Sequence, residues 1–213
     1  KYLQKTERSV TTPGTRGIIY DVNGNILAYN KLAYSVTIRD IGAYSKTADR
    51  NAMLYRLVKI LERRGETVEG KFEVALDADG DMVFTSTSDS AKTRFMLNFY
   101  GQPSSDKLDD PAGKYPTNIT AREAFEKKKR DYGLDQMKDD KGNALIIPDQ
   151  TALSMVNIIF TMELTRYQKY ETTTVASNIS LETMAEINEN IADLQGVEVE
   201  RSSVRVYNNS LYF

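Results

Sequence analysis

Residues 12–30 read TPGTRGIIYDVNGNILAYN, and this stretch predicts a β-hairpin. The segments IIY at 18–20 and ILAY at 26–29 are rich in residues that favour strands. Between them, Asn23 and Gly24 form the dipeptide most typical of a tight hairpin loop, because both residue types tolerate positive φ angles. Pro13 and Gly14 predict a sharp turn into the first strand. The N-terminal side of the chain is therefore expected to form two antiparallel strands.

Three polar side chains of this hairpin are candidates for a specific role. We expect Arg16 to pair with Asp21, and Asn23 to shape the loop between the strands. Such residues either hold the hairpin together or present it to a partner molecule. The sequence leaves both interpretations open.

The composition is typical of a soluble globular protein of 213 residues, with 40% hydrophobic and 27% charged residues. This length fits one large domain or two small ones. The net charge of −2 argues against a nucleic-acid partner, because such proteins neutralise phosphates with positive charge. The chain has no Cys and no His, which excludes disulfides, thiol nucleophiles and zinc-thiolate sites. No cofactor is expected, and any bound metal would be a hard cation on oxygen ligands.

The rest of the chain mixes helical and extended patterns. Helices are expected at about 48–64, 90–100, 120–132, 149–167 and 180–195. Strands are expected at 34–38, 172–176, 197–200 and 204–207, and a second hairpin at 72–85. Thr120 and Glu123 have the spacing of a capping box, and Ser180 is a further N-cap.

The predicted fold class is α+β. Strands near the two ends of the chain are expected to pair, which gives a small mixed sheet built from N- and C-terminal strands with a mainly helical insertion, the head, between them. The β-rich base would comprise residues 1–45 and 170–213. The head, with its one β-hairpin, would comprise residues 46–169.

Two segments resemble a known family. Residues 16–28, RGIIYDVNGNILA, are similar to the R-G-x-I-x-D-R-N-G-x-x-L-A signature of class B penicillin-binding proteins, with Val22 in place of the usual Arg. Residues 194–199, LQGVEV, resemble the L-P-G-V-x-V strand of the same family, with Gln195 in place of Pro. Arg205 and Tyr207 match the R-x-Y that follows it. Both segments belong to the N-terminal dimerisation, or pedestal, domain of that family.

The resemblance implies a non-catalytic pedestal domain of a peptidoglycan transpeptidase in bacterial cell-wall synthesis. The implied partners are a C-terminal transpeptidase domain of the same chain, a polytopic glycan polymerase or other cell-wall proteins, and a second copy in a homodimer. The implied location is the extracytoplasmic face of the plasma membrane, through an N-terminal anchor outside this sequence. The residues carried over as structural or partner-contacting are Arg16, Gly17, Asp21, Asn23, Gly24, Leu27, Ala28, Asn30, Arg205 and Tyr207.

Two other functions remain alternatives. Ser104 and Lys107 match the Ser-x-x-Lys pattern of an acyltransferase nucleophile, although the Lys-Thr-Gly partner motif is missing. A free-standing extracellular scaffold or adhesion module is the other alternative. Asp77, Asp79 and Asp81 resemble a calcium loop but lack its Gly and its bidentate Glu, so a hairpin turn is the preferred interpretation.

Overall fold

The computed structural model describes residues 16–39, 44, 46–109, 113–139, 141–165 and 172–208. The predicted turn at residues 13–14 and the last two residues of the helix expected to reach 167 lie outside these ranges. The strands are β1 (Ile19–Tyr20), β2 (Ile26–Ile38), β3 (Val74–Leu76), β4 (Met82–Phe84), β5 (Thr173–Ile179) and β6 (Val197–Tyr207). The helices are α1 (Thr47–Arg63), α2 (Asp89–Tyr100), α3 (Ala121–Asp131), α4 (Asp149–Thr165) and α5 (Leu181–Glu189).

Strand β2 is the centre of a four-stranded sheet. Ala28 pairs with Ile19 of β1 and also with Tyr207 of β6, so β1 and β6 flank β2 on opposite sides. Val36 pairs with both β5 and β6, so β5 follows β1 along the same side of β2. The α+β fold class and the pairing of N- and C-terminal strands are thus confirmed. The expected mixed sheet is corrected, because every pair between the described strands runs antiparallel.

Two strands are longer than the sequence predicts. Residues 30–33 and 201–203 are mostly polar or charged, which hides a strand from a search for apolar alternation. In the structure both segments lie within a continuous ladder of eleven cross-strand pairs, from Ala28–Tyr207 to Ile38–Val197. Pairing between distant segments therefore extends both strands through sequence that has little strand preference of its own.

The helix ends follow their capping residues. Thr120 and Glu123 form the predicted capping box at the start of α3, with the Thr120 side chain accepting from the Glu123 backbone N–H. Ser180 accepts from the backbone N–H of Thr183 and begins α5. The boundaries of α1 and α2 lie within one residue of the predicted ones. The predicted 180–195 helix is shorter, since α5 ends at Glu189 and a short 3-10 turn follows.

The hydrophobic core lies between the helices and the part of the sheet formed by β5, the second half of β2 and the start of β6. The sheet contributes Val36, Ile38, Val175 and Val197 to this core. Helix α4 is buried along most of its length. Among the described helices, none combines the length and hydropathy that crossing a bilayer requires. The division at residues 45–46 and 169–170 stays a prediction.

Candidate functional site at the base of the sheet

We call the end of the sheet formed by β1, the first half of β2 and the second half of β6 the base. Four of the predicted site residues meet there in what we call the strand-end cluster: Arg16, Gly17, Asn30 and Arg205. Arg205 Nη1 donates to the Gly17 carbonyl oxygen at 2.7 Å and to Asn30 Oδ1 at 3.0 Å. Asn30 Nδ2 in turn donates to the Arg16 carbonyl oxygen at 2.8 Å. The cluster therefore ties the chain before β1 to the central and outer strands.

Register explains why these residues meet. Asn30 and Arg205 are a directly opposed cross-strand pair, and so are Ala28 and Tyr207. Two residues apart on each strand, both pairs lie on the same face of the sheet. Ala28 is 2% exposed. The backbone N–H of Asn208 also donates to the Leu27 carbonyl oxygen at 2.9 Å, which extends the ladder past Tyr207.

The expected ion pair between Arg16 and Asp21 is wrong. The Asp21 carboxylate instead accepts from the backbone N–H groups of Asn23 and Asn25, both at 2.8 Å, and from the Asn25 side chain at 2.7 Å. The pKa of Asp21 is lower than its ordinary value because these hydrogen bonds stabilise the carboxylate. The bond from the Asn25 side-chain amide has the largest effect. Asp21 is therefore fully occupied within its own loop, and Arg16 joins the cluster through its backbone.

Only the glycine of the Asn23–Gly24 pair uses a left-handed conformation. Gly24 has φ +83°, whereas Asn23 is not among the described residues with positive φ. The Gly24 N–H donates to the Asp21 carbonyl at 3.1 Å, and the Asp21 N–H donates to the Asn25 carbonyl at 2.9 Å. This is the arrangement of a three-residue hairpin loop rather than of a two-residue turn.

The same loop occurs at two other places. In residues 77–81 and 139–143, the first Asp accepts from the backbone N–H groups two and four positions later. The glycine of each loop has φ +86° and +83°, respectively. Asp77 thus serves its own hairpin turn, as the sequence suggests. Because this loop recurs, Asp21, Asn23 and Gly24 are explained by turn formation, and the strand-end cluster carries the specific information about the base.

The base also exposes apolar surface. Among the described residues, nine of the thirteen exposed large apolar side chains lie there. We call these nine the base patch: Ile18, Ile19, Tyr20, Val22, Ile26, Tyr29, Leu32, Val204 and Tyr207. Their exposed fractions reach 61% for Leu32, 62% for Tyr207 and 100% for Val22. These side chains lie on both faces of the sheet, because Tyr29 and Val204 alternate with Leu32 and Tyr207 along the two strands. Exposed apolar surface of this kind makes the base a candidate interaction surface.

The structure does not bring Ser104 and Lys107 together as a catalytic pair. The Ser104 hydroxyl donates to Asp106, and Lys107 Nζ lies 3.9 Å from the same carboxylate. The Lys107 side chain is 59% exposed. A lysine that activates a serine needs to be desolvated beside it, and this exposed loop offers no such environment.

The family follows from a sequence comparison. A family model described as the penicillin-binding protein dimerisation domain matches residues 11–213. The chain belongs to this family. The penicillin-binding protein dimerisation domain thus accounts for both of the segments in which the resemblance was found, and for the whole base. The sequence matches no curated protein.

Two solved structures are similar to this penicillin-binding protein dimerisation domain. Penicillin-binding protein 2B from Streptococcus pneumoniae strain 5204 is 17% identical, with a TM-score of 0.37 over 92% of this chain and 26% of that chain. The same protein from strain R6 is 14% identical, with a TM-score of 0.36 over 93% of this chain and 26% of that chain. This chain spans about a quarter of the length of both proteins.

Sequence reasoning missed two features of the base. Asn25 is essential to the Asp21 loop, and the shared spacing of Asp, Gly and Asn or Asp in the three loops was the signal that could have revealed it. The base patch is the second feature, because Ile18, Ile19 and Tyr20 have the sequence pattern of a strand whether or not their side chains are covered. Alternation alone does not reveal whether a face has a partner.

Proposed function

We propose that this chain is the non-catalytic pedestal of a longer penicillin-binding protein, in which it supports and positions a transpeptidase domain. The observation that carries the proposal is the family match over residues 11–213. In this proposal the peptidoglycan transpeptidase activity lies in the part that follows residue 213. Ser104 and Lys107 both contact Asp106 in an exposed loop, which supports placing that chemistry elsewhere.

The base patch is proposed as the surface on which the transpeptidase domain rests. The strand-end cluster supports this, because it holds the chain before β1 beside the end of β6, from which the chain continues. A domain attached after β6 would therefore lie next to the exposed side chains of Leu32 and Tyr207, which share one face of the sheet. Covering these side chains would remove apolar surface from water, which contributes about 25 cal/mol for each Å² buried before the entropic cost of association.

The same family assignment supports a proposal for the cellular role. We propose a location on the extracytoplasmic face of the bacterial plasma membrane, with an anchor that precedes this sequence. The domain would there contact a polytopic glycan polymerase or other proteins of the cell-wall machinery. Homodimerisation through the base patch is a competing proposal for the same surface. The experiments below distinguish it from contact with the transpeptidase domain.

The proposal is tested by hydrogen exchange on the 213-residue chain and on the natural protein that continues beyond it. We expect slower exchange at residues 16–32 and 203–208 in the longer protein, and no change around the exposed Ile146, which lies outside the base. Leu32→Ser and Tyr207→Ser should remove the protection, whereas Ile146→Ser serves as the matched control. Equal exchange in the two proteins would reject the docking surface and favour a free-standing scaffold.

A labelled penicillin distinguishes the pedestal from an acyltransferase. Intact mass should show one bound label on the longer protein and none on the 213-residue chain. A gain on the short chain that disappears in Ser104→Ala would assign acyl chemistry to Ser104 and overturn the proposal. Light scattering measures the oligomeric state of the 213-residue chain. A dimer that is abolished by Tyr207→Ser would show that the base patch binds a second copy of the chain.

A further inference from the structure

The side chain of Asn23 is not used by the loop in which it lies. The other two polar side chains of this loop bind each other, since the Asp21 carboxylate accepts from the Asn25 amide at 2.7 Å. Asn23 takes part through its backbone N–H, which donates to the Asp21 carboxylate at 2.8 Å. Its side chain is exposed and makes no hydrogen bond to any residue that the structure describes. The amide group of Asn23 is therefore free to react.

The two equivalent loops show which side chains fit at this position. In the loop of residues 77–81 the position is taken by Asp79, and in the loop of residues 139–143 by Lys141. Each donates its backbone N–H to the first Asp of its loop, at 3.0 and 2.9 Å, respectively. An aspartate at position 23 would therefore fit the same loop as well as the asparagine does.

The residue after Asn23 is a glycine, and no other asparagine of the sequence precedes a glycine. Because glycine has no Cβ, other groups can approach its backbone closely. The space beside Gly24 is also open, since a Cβ at this position would meet no neighbouring atom within 4 Å. The backbone nitrogen of Gly24 is thus accessible to the side chain that precedes it.

Hydrogen bonds of the loop oppose contact between these two groups. The Gly24 N–H donates to the Asp21 carbonyl at 3.1 Å, and the Asp21 carboxylate accepts from the backbone N–H groups on both sides of Gly24. A reaction at Asn23 therefore requires the loop to open. Strand β1 has only two residues, and its register with β2 shifts between them. Opening this short hairpin costs less free energy than opening the centre of the sheet.

We propose that Asn23 is a site of spontaneous deamidation and that the Asp21 loop controls its rate. The backbone nitrogen of Gly24 attacks Asn23 Cγ and gives up its proton. A new C–N bond forms, the bond between Cγ and the side-chain nitrogen breaks, and that nitrogen leaves as ammonia. Water then hydrolyses the resulting succinimide at either carbonyl, which leaves aspartate or isoaspartate at position 23. The net reaction consumes one water molecule and releases one molecule of ammonia.

The two products change the base in different ways. Aspartate keeps the main chain as it is and adds a negative charge beside Val22, which is fully exposed in the base patch. Isoaspartate lengthens the main chain by one carbon atom, which displaces the N–H groups of Gly24 and Asn25 from their acceptors on Asp21. The proposal does not depend on the pedestal function.

The test is peptide mapping by mass spectrometry while the 213-residue chain is kept in mildly alkaline buffer. We expect Asn23 to convert first, with peptide fragmentation distinguishing aspartate from isoaspartate. Asn25 and Asn143 are internal controls, because both are exposed and lie in loops of the same kind. Each is followed by a residue with a Cβ, so both should convert more slowly.

A pair of variants tests the control by the loop. Asp21→Ala removes the carboxylate that holds the loop closed, and should speed conversion of Asn23 about tenfold or more by loss of its charge-assisted hydrogen bonds. Asp77→Ala makes the same change in the equivalent loop at residues 77–81 and should leave the rate at Asn23 unchanged. Thermal unfolding of each variant shows whether its fold is intact.

Two results would overturn the proposal. The first is conversion of Asn23 in the wild type that is no faster than that of Asn25 and Asn143. The second is an equal rate at Asn23 in folded Asp21→Ala and in folded Asp77→Ala, which would show that the Asp21 carboxylate does not control the reaction.

Discussion

Arg205 and Gly17 are 188 residues apart in the chain, yet the guanidinium of Arg205 lies 2.7 Å from the Gly17 carbonyl oxygen. The same Nη1 reaches Asn30 Oδ1 at 3.0 Å. One side chain thus joins the segment before β1, the first half of β2 and the end of β6. The base is held together by a contact between the two ends of the chain, independently of the helices.

Replacing Arg205 tests the importance of this contact. Arg205→Gln removes the donor to Gly17 and should lower the free energy of unfolding by about 1 kcal/mol, as measured by urea denaturation. Hydrogen exchange of the Asn208 amide, which donates to Leu27, should become faster. Arg201→Gln is the control, because Arg201 is exposed and lies on the same face of β6. Equal effects of the two substitutions would contradict a specific role for Arg205.

Gly70 packs against α4, and a larger residue would not fit. A Cβ at this position would overlap the side chains of Asn157 and Thr161. Both side chains are engaged, because Asn157 Oδ1 accepts from the Phe72 backbone N–H and Thr161 Oγ1 from that of Lys71, each at 2.9 Å. Gly70→Ala should therefore lower the free energy of unfolding by about 1–3 kcal/mol, measured by urea denaturation.

Gly17→Ala is the control for this overpacking effect. A methyl group added at Gly17 would meet no neighbouring atom within 4 Å, and the φ angle of Gly17 lies outside the left-handed region. This variant should unfold within about 0.5 kcal/mol of the wild type. If Gly70→Ala were equally well tolerated, the close packing between residue 70 and α4 would be disproved.

Acid should weaken the connection between α1 and α5. Glu66 Oε1 accepts from the Ser180 backbone N–H at 2.8 Å and from the Thr183 hydroxyl at 2.6 Å. Burial acts to raise the pKa of Glu66, but these hydrogen bonds outweigh it and bring the pKa below 4.5. A pKa that is lower in the folded state contributes stability above the unfolded value, and this contribution is lost as the pH falls through the folded value.

The variant Glu66→Gln makes this pH dependence measurable. Its unfolding midpoint in urea should lie below that of the wild type at pH 7, and the difference should shrink as the pH falls below 4.5. Glu69→Gln, at an exposed glutamate three residues later, controls for the loss of one acidic group. A difference that stays constant from pH 7 to acid would refute the role of the Glu66 carboxylate.

Gly24 should be required for the local order of the first hairpin. An Ala at φ +83° is strained by about 1–2 kcal/mol, so Gly24→Ala should speed hydrogen exchange of the Asp21 and Gly24 amides. Gly24→Asn should do so less, because Asn tolerates this conformation better. Gly80→Ala, in the equivalent loop at φ +86°, should affect only the β3–β4 hairpin. Unchanged exchange in Gly24→Ala would be the contrary result.

Local sequence signals predicted the helices and loops well. The capping box of Thr120 and Glu123, the Ser180 cap and the glycine-containing hairpin loops depend on residues within five positions of each other. Such signals were sufficient for the α+β class. The Asp21 loop shows the limit of these signals, because the Asp21 carboxylate accepts hydrogen bonds from the nearby Asn25 and does not form the expected ion pair with Arg16.

The contacts between distant segments could not be predicted in the same way. Nothing near Arg205 indicates that its acceptors are Gly17 and Asn30, because this depends on the register between β2 and β6. Residue types suggested candidates at the base, and only the three-dimensional arrangement showed which of them touch.

The strand-end cluster also determines the path of a mechanical load through the domain. Tension applied between the chain before β1 and the chain after β6 would pass directly through Gly17 and Arg205. The helices between residues 47 and 165 would carry little of this tension, because the contact between Gly17 and Arg205 bypasses them. The pairs between β2 and β6 would separate in order, beginning with Ala28–Tyr207 at the base. The strand-end cluster would resist this separation close to where it begins.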